Sequence, residues 1–357
     1  MHRDMNTTVV EACAIDVGHA NVKYSSRRSM VAGKADIRTG VFPAIAPVMV
    51  NGGFQNHNGS KKVDGVAIDI GGMQYYVGKD VRFHATGSEL RTVPRNYCET
   101  DEYLALLRGA LHHIAHDVGA GSAMVIETLV LGLPINTWRQ YNKSLAARIE
   151  GDHLLGTITS EHPKRLVHVK KVVVIVQPLG ALYQYGIATS SDPLPGWTMV
   201  LDAGGGTLDW FVSQRLQPNW PRSGAHAKSM LACCYAIADK INPEWKDQAD
   251  IVGRIDFAVR TKSEYFEVQG VKYPIEQYRP AVDAVLRESV NKMFATVGKS
   301  DDLDHILITG GAAGVLHDFL CVNYPHLKTI MVVDADSLFA NVKGFQIAAE
   351  LVYEETR

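Results

Sequence analysis

MVLDAGGGTLDWFV, residues 199–212, is the stretch that most constrains the fold of this chain. Apolar Trp197–Leu201 predicts a buried strand that ends at Asp202, and Thr207–Ser213 predicts the strand that returns beside it. Three consecutive glycines separate the two strands, although a two-residue turn does not need them and glycine weakens a strand. The pattern indicates a turn whose backbone wraps closely around an anion such as phosphate.

A related hairpin opens the chain at AIDVGHANVKY, residues 14–24. An apolar strand leads to Asp16 and to a tight turn that contains Gly18, and Lys23 lies on the returning strand, Asn21–Tyr24. Turn amides form an anion-binding nest, and a lysine beside them supplies positive charge for phosphate. A carboxylate repels phosphate, so the expected role of Asp16 is to hold Mg²⁺ through water. An ordinary hairpin with an Asp-x-Gly turn is the alternative.

Two further motifs follow predicted strands. In HILITGGAAGVL, residues 305–316, a strand leads through Gly-Gly into a helix, which brings backbone amides and a helix N-terminus towards a nucleotide. Any tight strand-to-helix connection can also use Gly-Gly. Gln177 follows the buried run VVVIV, residues 172–176, and a glutamine there can orient water for attack on a terminal phosphate. A solvated strand end is the alternative interpretation of Gln177.

Strands that alternate with helices predict an α/β fold. Recurrence of the hairpin unit at Asp16 and Asp202 indicates two related halves that face each other across a ligand-binding cleft. Thr100 is the expected N-cap of the first helix, and Asn136 or Thr137 that of the second. The main helices are predicted at Asp101–Val118, Trp138–Glu150, Lys228–Asn242, Pro280–Val297, Ala312–Asn323 and Ser337–Tyr353.

Composition excludes several classes of protein. The chain of 357 residues is 46% hydrophobic and 21% charged, which is typical of a soluble globular protein of two domains. Its net charge of −2 implies no bulk attraction to nucleic acid or to an anionic membrane. The N-terminal residues lack the apolar segment of a signal peptide, and the apolar runs are too short to span a bilayer. Five cysteines without a disulfide spacing favour reduced thiols in a cytoplasmic protein. From the charge and the short apolar runs, we expect no direct binding to nucleic acid or to a membrane.

The order of the motifs resembles the superfamily that joins actin, the heat-shock chaperone ATPases and the sugar kinases. Asn21 and Lys23 are similar to the residues of actin and of the plasmid-partition actins of the ParM/StbA type. SLFANVKGFQIAAEL, residues 337–351, looks like the closing helix of the ParM type, with an asparagine and a glycine before the last turns. The resemblance implies an actin-like ATPase fold of two RNase H-like domains around a nucleotide cleft. Residues 1–177 with 335–357 would form domain I, and residues 178–334 domain II.

The same resemblance implies the residues of the site. The expected catalytic residues are Asp16, Gln177, Asp202 and Asp209, of which Gln177 positions the attacking water and Asp209 assists it. The expected residues for ATP or ADP are Asp16, Gly18, Asn21 and Lys23 in the first loop, Asp202, Gly204, Gly205, Gly206 and Thr207 in the second, and Gly310, Gly311 and Ala312 at the adenosine. Asp16 and Asp202 are expected to hold Mg²⁺ through water. Proteins of the ParM type often carry Glu at the position of Gln177.

The function that follows from the resemblance is a Mg²⁺-dependent ATPase that polymerises into filaments and segregates plasmid or other mobile DNA through a DNA-bound adaptor protein. A small-molecule kinase is the alternative, but it needs an aspartate base in a substrate pocket, and Asp209 is the only candidate. A chaperone ATPase needs a substrate-binding region after the ATPase core, and the sequence to Arg357 contains none. A nucleotide sensor that does not hydrolyse ATP is also compatible with the motifs.

Several other patterns have simpler explanations. Asp69-Ile70-Gly71-Gly72 imitates a phosphate loop, but it lies in a strictly alternating hairpin and predicts only a turn. His112 and His116 have metal-ligand spacing on one helix, yet no third ligand is near them in sequence. Adjacent Cys233 and Cys234 lie in an apolar helix and are expected in the core. The polar, glycine-rich segment 51–62 is either solvated or in contact with a neighbouring subunit of a polymer.

Overall fold

The computed structural model describes residues 7–31, 34–49, 64–83, 85, 94, 96–156, 164–188 and 196–357, so the segment 51–62 lies outside it. The strands are β1 (Thr8–Val17), β2 (Asn21–Val31), β3 (Lys34–Pro43), β4 (Val66–Ile70), β5 (Met73–Val77), β6 (Ala123–Leu133), β7 (Gly151–Leu155), β8 (Arg165–Val176), β9 (Trp197–Ala203), β10 (Leu208–Gln214), β11 (Gln217–Pro218), β12 (Gly224–His226), β13 (Tyr265–Val268), β14 (Val271–Pro274), β15 (Leu303–Thr309) and β16 (Met331–Val333). The α-helices are α1 (Asp101–Asp117), α2 (Ile135–Ile149), α3 (Gln177–Ala188), α4 (Met230–Ile241), α5 (Ala249–Arg260), α6 (Arg279–Val297), α7 (Ala313–Asn323) and α8 (Ala340–Thr356).

Two mixed sheets form the framework. The first has the order β3-β2-β1-β6-β8-β7, with β1, β6 and β8 parallel and the other strands antiparallel to their neighbours. The second has the order β11-β10-β9-β15-β16, with β12 also beside β10 and with β9, β15 and β16 parallel. In each sheet a hairpin comes first in the chain and parallel strands then extend the sheet from the first strand of that hairpin. The repeated order confirms the two related halves that the sequence predicts.

Each sheet is covered by its own helices. Leu106, Leu107 and Leu111 of α1 belong to the core of the first sheet, and Val290 of α6 and Phe319 of α7 to the core of the second. In α6 the buried residues Val282, Leu286, Val290, Met293 and Val297 recur three to four residues apart, which places them on one face that is removed from water.

The helices α3 and α8 lie where the chain passes from one half to the other. Ala181 and Leu182 of α3 pack with Val200 and Phe211 of the second sheet. In the opposite direction, Val342 and Phe345 of α8, with Ala348 and Ala349, pack with Ala12, Ala14 and Val130 of the first sheet. The closing helix therefore returns to the half in which the chain begins, as the assignment of residues 335–357 to domain I requires. The exact domain boundaries stay a prediction.

Local expectations have mixed outcomes. Thr100 caps α1, because its hydroxyl accepts a hydrogen bond of 3.2 Å from the amide of Tyr103. The predicted caps of α2 are wrong, since this helix begins at Ile135, before Asn136 and Thr137. Pro134 fixes the backbone before the helix, and the first amide is satisfied from the other half of the chain, as described below. The sequence interpretation also shortened β2 and missed β3, β7, α5 and the hairpin of β13 and β14.

Two of the patterns with simpler explanations, the Gly71-Gly72 turn and the Cys233-Cys234 pair, lie where the sequence predicts. Gly71 and Gly72 form the turn between β4 and β5, with φ of +59° and +86°. Cys233 and Cys234 are buried in the core of the second half. Across the described ranges of the chain, no cluster of three or more His, Cys, Asp or Glu side chains could hold a metal ion, so His112 and His116 have no third ligand there. The helices in those ranges are also too short or too polar to cross a membrane.

Candidate active site

The first Asp-x-Gly turn presents a buried ion pair. Asp16 and Lys23 face each other across the hairpin of β1 and β2, and Lys23 Nζ lies 2.8 Å from Asp16 Oδ2. The amide of Gly18 donates to the carbonyl of Asn21 at 3.1 Å and closes the turn. Gln177, the first residue of α3, donates from Nε2 to Asp16 Oδ1 at 2.8 Å. Both oxygens of Asp16 are thus held by residues that the sequence assigned to the site.

The second turn has the same backbone pattern with different side chains. The amide of Gly204 donates to the carbonyl of Thr207 at 3.0 Å, which repeats the bond that closes the first turn. Asp202 faces Asp209 across the hairpin of β9 and β10, where the first hairpin has an aspartate opposite a lysine. The amide Nδ2 of Asn341, in the first turn of α8, donates to Asp202 Oδ2 at 2.6 Å.

The two turns lie directly against each other. A Cβ added to Gly205 would come within 3.1 Å of the Cβ of Ala20, and one added to Gly206 would overlap the imidazole of His19. Neither glycine has a positive φ, so close approach rather than backbone conformation requires glycine here. In this structure the close neighbour of the glycine turn is the opposite turn, and the wrapping of its backbone around phosphate stays a prediction.

The Gly-Gly turn before α7 completes the same edge. Gly310 has φ of +91°, and a side chain there would overlap the carbonyl of Ala203 and the carboxylate of Asp202. The amide of Ala312 donates to the carbonyl of Ala203 at 2.9 Å. Gly311 is exposed, and no heavy atom of the described chain beyond its neighbours lies within 4 Å of a Cβ added there. Gly310 therefore holds the turn against β9, and Gly311 leaves its backbone open to a ligand.

Electrostatics shows that the site is short of positive charge. The carboxylates of Asp16 and Asp202 are buried near the ammonium group of Lys23, and the carboxylate of Asp209 is buried near that of Asp202. Burial alone would lower the pKa of Lys23, but attraction to Asp16 and then Asp202 outweighs it and raises that pKa. Burial raises the pKa of Asp202 to about 6, against the opposing effect of Lys23. Burial and the charge of Asp202 raise the pKa of Asp209 to about 7.

The residues fit a bound Mg²⁺–nucleotide. Carboxylate oxygens are the ligands that Mg²⁺ and its bound waters prefer, and a divalent cation would offset the excess negative charge at Asp16 and Asp202. Backbone amides of both turns and the ammonium of Lys23 suit phosphate oxygens. Bound Mg²⁺ would supply neutralisation of the charge that develops on the phosphates during hydrolysis. The assignments of individual residues to ATP or Mg²⁺ remain predictions.

Asp209 has a contact that the sequence did not reveal. Its Oδ1 accepts a hydrogen bond of 2.9 Å from the amide of Ile135, the first residue of α2. The carboxylate therefore provides from β10 the N-terminal cap that α2 lacks in its own sequence. Its Oδ2 is buried, and the side chain of Thr207 lies close enough to the carboxylate to oppose the rise in its pKa. Assistance to the attacking water, the expected role of Asp209, stays a prediction beside this structural one.

His19 and Asn341 belong to the site but were not predicted as site residues. The ring of His19 lies 5.4 Å from that of Tyr97 and next to Gly206, and burial lowers its pKa to about 4, so the imidazole is neutral at pH 7. His19 follows Gly18 directly, so its place in the first turn was available as a signal. Asn341 comes from far along the chain, and the asparagine in the closing-helix motif was its only signal.

Asp209→Asn is expected to stabilise the nucleotide-free protein at pH 8. A carboxyl whose pKa is raised by folding binds protons more tightly when folded, so its penalty is absent below pH 4 and grows as the pH rises to about 7. The asparagine keeps an oxygen for the Ile135 amide and removes the charge. The expected gain at pH 8 is on the order of 2–4 kcal/mol in the free energy of unfolding. Urea denaturation in EDTA between pH 5 and 8 measures it.

Asp209→Ala is the matched control for that measurement. Alanine also removes the charge but leaves the Ile135 amide without its acceptor, so its benefit at pH 8 should be smaller and it should destabilise the protein at pH 5. A wild-type protein and an Asp209→Asn variant whose stabilities change identically with pH would contradict the raised pKa.

Fold and site together define a two-domain α/β protein of the actin-like fold, with an Asp-x-Gly turn from each half at the cleft. Residues 14–180 match the family described as the N-terminal domain of actin-like proteins. The match covers just under half of the chain and extends from the end of β1 to the start of α3. A search among curated proteins returns no significant match.

Solved structures with the same fold include bacterial and archaeal actin homologues. A 15-stranded ParM filament from Clostridium botulinum aligns with a TM-score of 0.74 at 17% identity, over 97% of this chain and 100% of that one. The apo psk41 ParM protein aligns with a TM-score of 0.66 at 19% identity, over 98% and 99% of the two chains. An archaeal actin homologue in complex with ADP aligns with a TM-score of 0.67 at 18% identity, over 97% and 100%. These similarities confirm the actin-like fold over nearly the whole chain.

Proposed function

We propose that this protein binds and hydrolyses ATP with Mg²⁺ and polymerises into filaments that segregate plasmid or other mobile DNA. The observation that carries the proposal is the meeting of two Asp-x-Gly turns at one cleft, with Lys23 as the cation beside them. Turn amides and an ammonium group bind phosphates, while Asp16 and Asp202 suit a hydrated Mg²⁺. The similar structures include an actin homologue with ADP, which supports a nucleotide as the ligand.

Residues of this chain account for the steps around hydrolysis. Lys23 and the turn amides would hold the terminal phosphates, and Gly311 would allow the adenosine to approach the backbone. Gln177 lies beside Asp16, at the point where a water could be oriented for in-line attack. Closing the two halves around the nucleotide would exclude other water from this edge. ATP would then favour the closed, assembling state, and hydrolysis would weaken it.

Self-association is supported by the structures that share the fold. They include the 15-stranded ParM filament and a filament of Alp12, the latter with a TM-score of 0.60 at 14% identity. We therefore propose a second copy of this chain as the main partner, and a DNA-bound adaptor protein as the link to DNA. The adaptor and the type of DNA enter only through the similarity to ParM proteins.

A small-molecule kinase is less well supported. Such an enzyme needs a carboxylate base that faces its substrate, and Asp209 was the only candidate. In the structure Asp209 is 1% exposed, and one of its oxygens holds the amide of Ile135. An oxygen that holds a helix terminus is less available to take a proton from a bound alcohol or acid.

Light scattering of the purified protein after addition of Mg-ATP, with phosphate release followed in the same sample, tests the proposal. Scattering that rises with ATP and decays as phosphate appears is the expected result. Phosphate release without scattering over a wide range of protein concentration would contradict polymerisation and favour a soluble ATPase or kinase. Absence of both signals would contradict the ATPase assignment itself.

Gln177→Ala is expected to slow hydrolysis roughly 100-fold, in the range seen when one positioned polar group is removed from an active site. Nucleotide binding should change only a few-fold, because the phosphates are held by Lys23 and the turns. Single-turnover phosphate release and the Kd for ATP measure the two effects separately. Equal losses in both would show that Gln177 mainly holds Asp16 in place and does not position water.

A further inference from the structure

We propose that Asn341 is a positioning residue for Mg²⁺, because its amide fixes the carboxylate of Asp202 from the closing helix. The inference rests on the proposed function, since it concerns the same Mg²⁺–nucleotide site. Asn341 is 5% exposed and lies in the first turn of α8, a helix whose buried residues Val342, Phe345, Ala348 and Ala349 pack on the first sheet. Its side chain instead reaches the second sheet, where Nδ2 lies 2.6 Å from Asp202 Oδ2.

The structure contains a matching arrangement in the other half. Gln177 is the first residue of α3, the helix after the last long strand of the first sheet, and its amide donates to Asp16. Asn341 is the second residue of α8, the helix after the last strand of the second sheet, and its amide donates to Asp202. The glycines at which α3 and α8 touch, Gly180 and Gly344, each follow their amide by three residues, as QPLG and NVKG.

The two amide–carboxylate pairs differ in whether a carboxylate oxygen is left to accept a hydrogen bond from a ligand. In Asp16 one oxygen is bonded to Lys23 and the other to Gln177. In Asp202 the amide of Asn341 holds Oδ2, while Oδ1 lies beside the backbone of Gly310 at the edge of the Gly-Gly turn. Asp202 is thus the carboxylate whose second oxygen can accept from a water of hydrated Mg²⁺. The Asn341 contact sets the direction of that oxygen.

A further observation separates this role from simple packing. The Oδ1 atom of Asn341 is buried and has no hydrogen-bond partner within the described residues. Because an unpartnered buried oxygen is unfavourable, packing alone does not account for an amide at this position. The orientation of the Asp202 carboxylate by Asn341 Nδ2 accounts for a polar residue at this position.

The test measures the affinity for a fluorescent ADP analogue in EDTA and at increasing Mg²⁺ concentration. The variants are Asn341→Ala and the near-isosteric Asn341→Leu, which keeps the packing if alanine does not fold. Gln346→Ala is the matched control, since Gln346 is an equally buried amide on α8 that bonds to Ser25 and the carbonyl of Ala12. In the wild-type protein Mg²⁺ should tighten ADP binding.

Both Asn341 variants should need roughly tenfold more Mg²⁺ for the same tightening, as expected when a group that orients a metal ligand is removed. Their affinity for ADP in EDTA should stay within roughly twofold of wild type, and Gln346→Ala should keep the wild-type Mg²⁺ dependence. An unchanged Mg²⁺ dependence in both Asn341 variants, or an equal shift in Gln346→Ala, would overturn the inference. A wild-type protein that binds no ADP would instead overturn the proposed function.

Discussion

The Asp202→Ala protein is expected to hydrolyse ATP roughly 100-fold more slowly than wild type. This is the upper end of the loss seen when a group that orders a metal site is removed. Asp202 is 6% exposed and ends the strand that leads into the Gly204–Gly206 turn. One oxygen of its carboxylate accepts a hydrogen bond from Asn341, and the other lies beside Gly310 in the Gly-Gly turn. Without it, the cation has no anchor in the second half of the site. Phosphate release at saturating ATP and several Mg²⁺ concentrations measures the loss.

The chain offers a matched control in Asp69→Ala. Asp69 also precedes a glycine turn in a hairpin, but it is exposed and lies away from the cleft. This variant should hydrolyse ATP at the wild-type rate. The folded Asp202→Ala protein should also resist urea at pH 8 at least as well as wild type, because the pKa of Asp202 is raised to about 6 and its buried charge is unfavourable there. Hydrolysis near the wild-type rate would refute the assignment of Asp202.

The sequence was most informative where local pattern and function coincide. Asp16 and Asp202 end apolar strands before glycine turns, and both the strands and the turns lie where the pattern predicts. The carboxyl ends of parallel strands meet at one edge of a sheet. Once the fold is correct, residues after β1 and β8 therefore share an edge of the first sheet, and those after β9 and β15 an edge of the second. This is why Gln177 and Gly310 could be placed in the site from their positions after strands.

Contacts between the halves could not be predicted in the same way. Asp209 caps α2 from a strand 74 residues away, and Asn341 reaches Asp202 across 139 residues. The spacing of residues in the sequence marks neither contact, because such hydrogen bonds depend on how the two sheets pack.

The missed helix α5 carries two ion pairs, Asp250 with Arg254 and Asp256 with Arg260. Its apolar residues Ile251, Val252, Ile255 and Val259 are interrupted by Gly253 and Arg254. The missed β3 is an edge strand that pairs only with β2, and its alternation of apolar and polar residues is weak.

Gly344→Ala is expected to destabilise the protein by about 3 kcal/mol, at the upper end for overpacking a close contact. A Cβ at Gly344 would overlap the carbonyl of Gly180, and the obstruction is backbone, which cannot rotate away as a side chain can. A Cβ at Gly180 would in turn overlap the carbonyl of Asn341 and the ring of Phe345. The helices α3 and α8 are therefore in backbone contact at the place where both pass between the two sheets.

This contact has a consequence for the site as well as for stability. Gln177 and Asn341 each lie one helical turn before the touching glycines, so forcing the helices apart moves the amides that hold Asp16 and Asp202. Gly186→Ala, in α3, is the matched control, because no described atom outside its own helix turn lies within 4 Å of a Cβ there. It should be neutral or stabilise the protein by up to roughly 1 kcal/mol, as alanine favours a helix. Urea denaturation that finds Gly344→Ala as stable as Gly186→Ala would show that the helices can separate at little cost, and the amides would then not be fixed by this crossing.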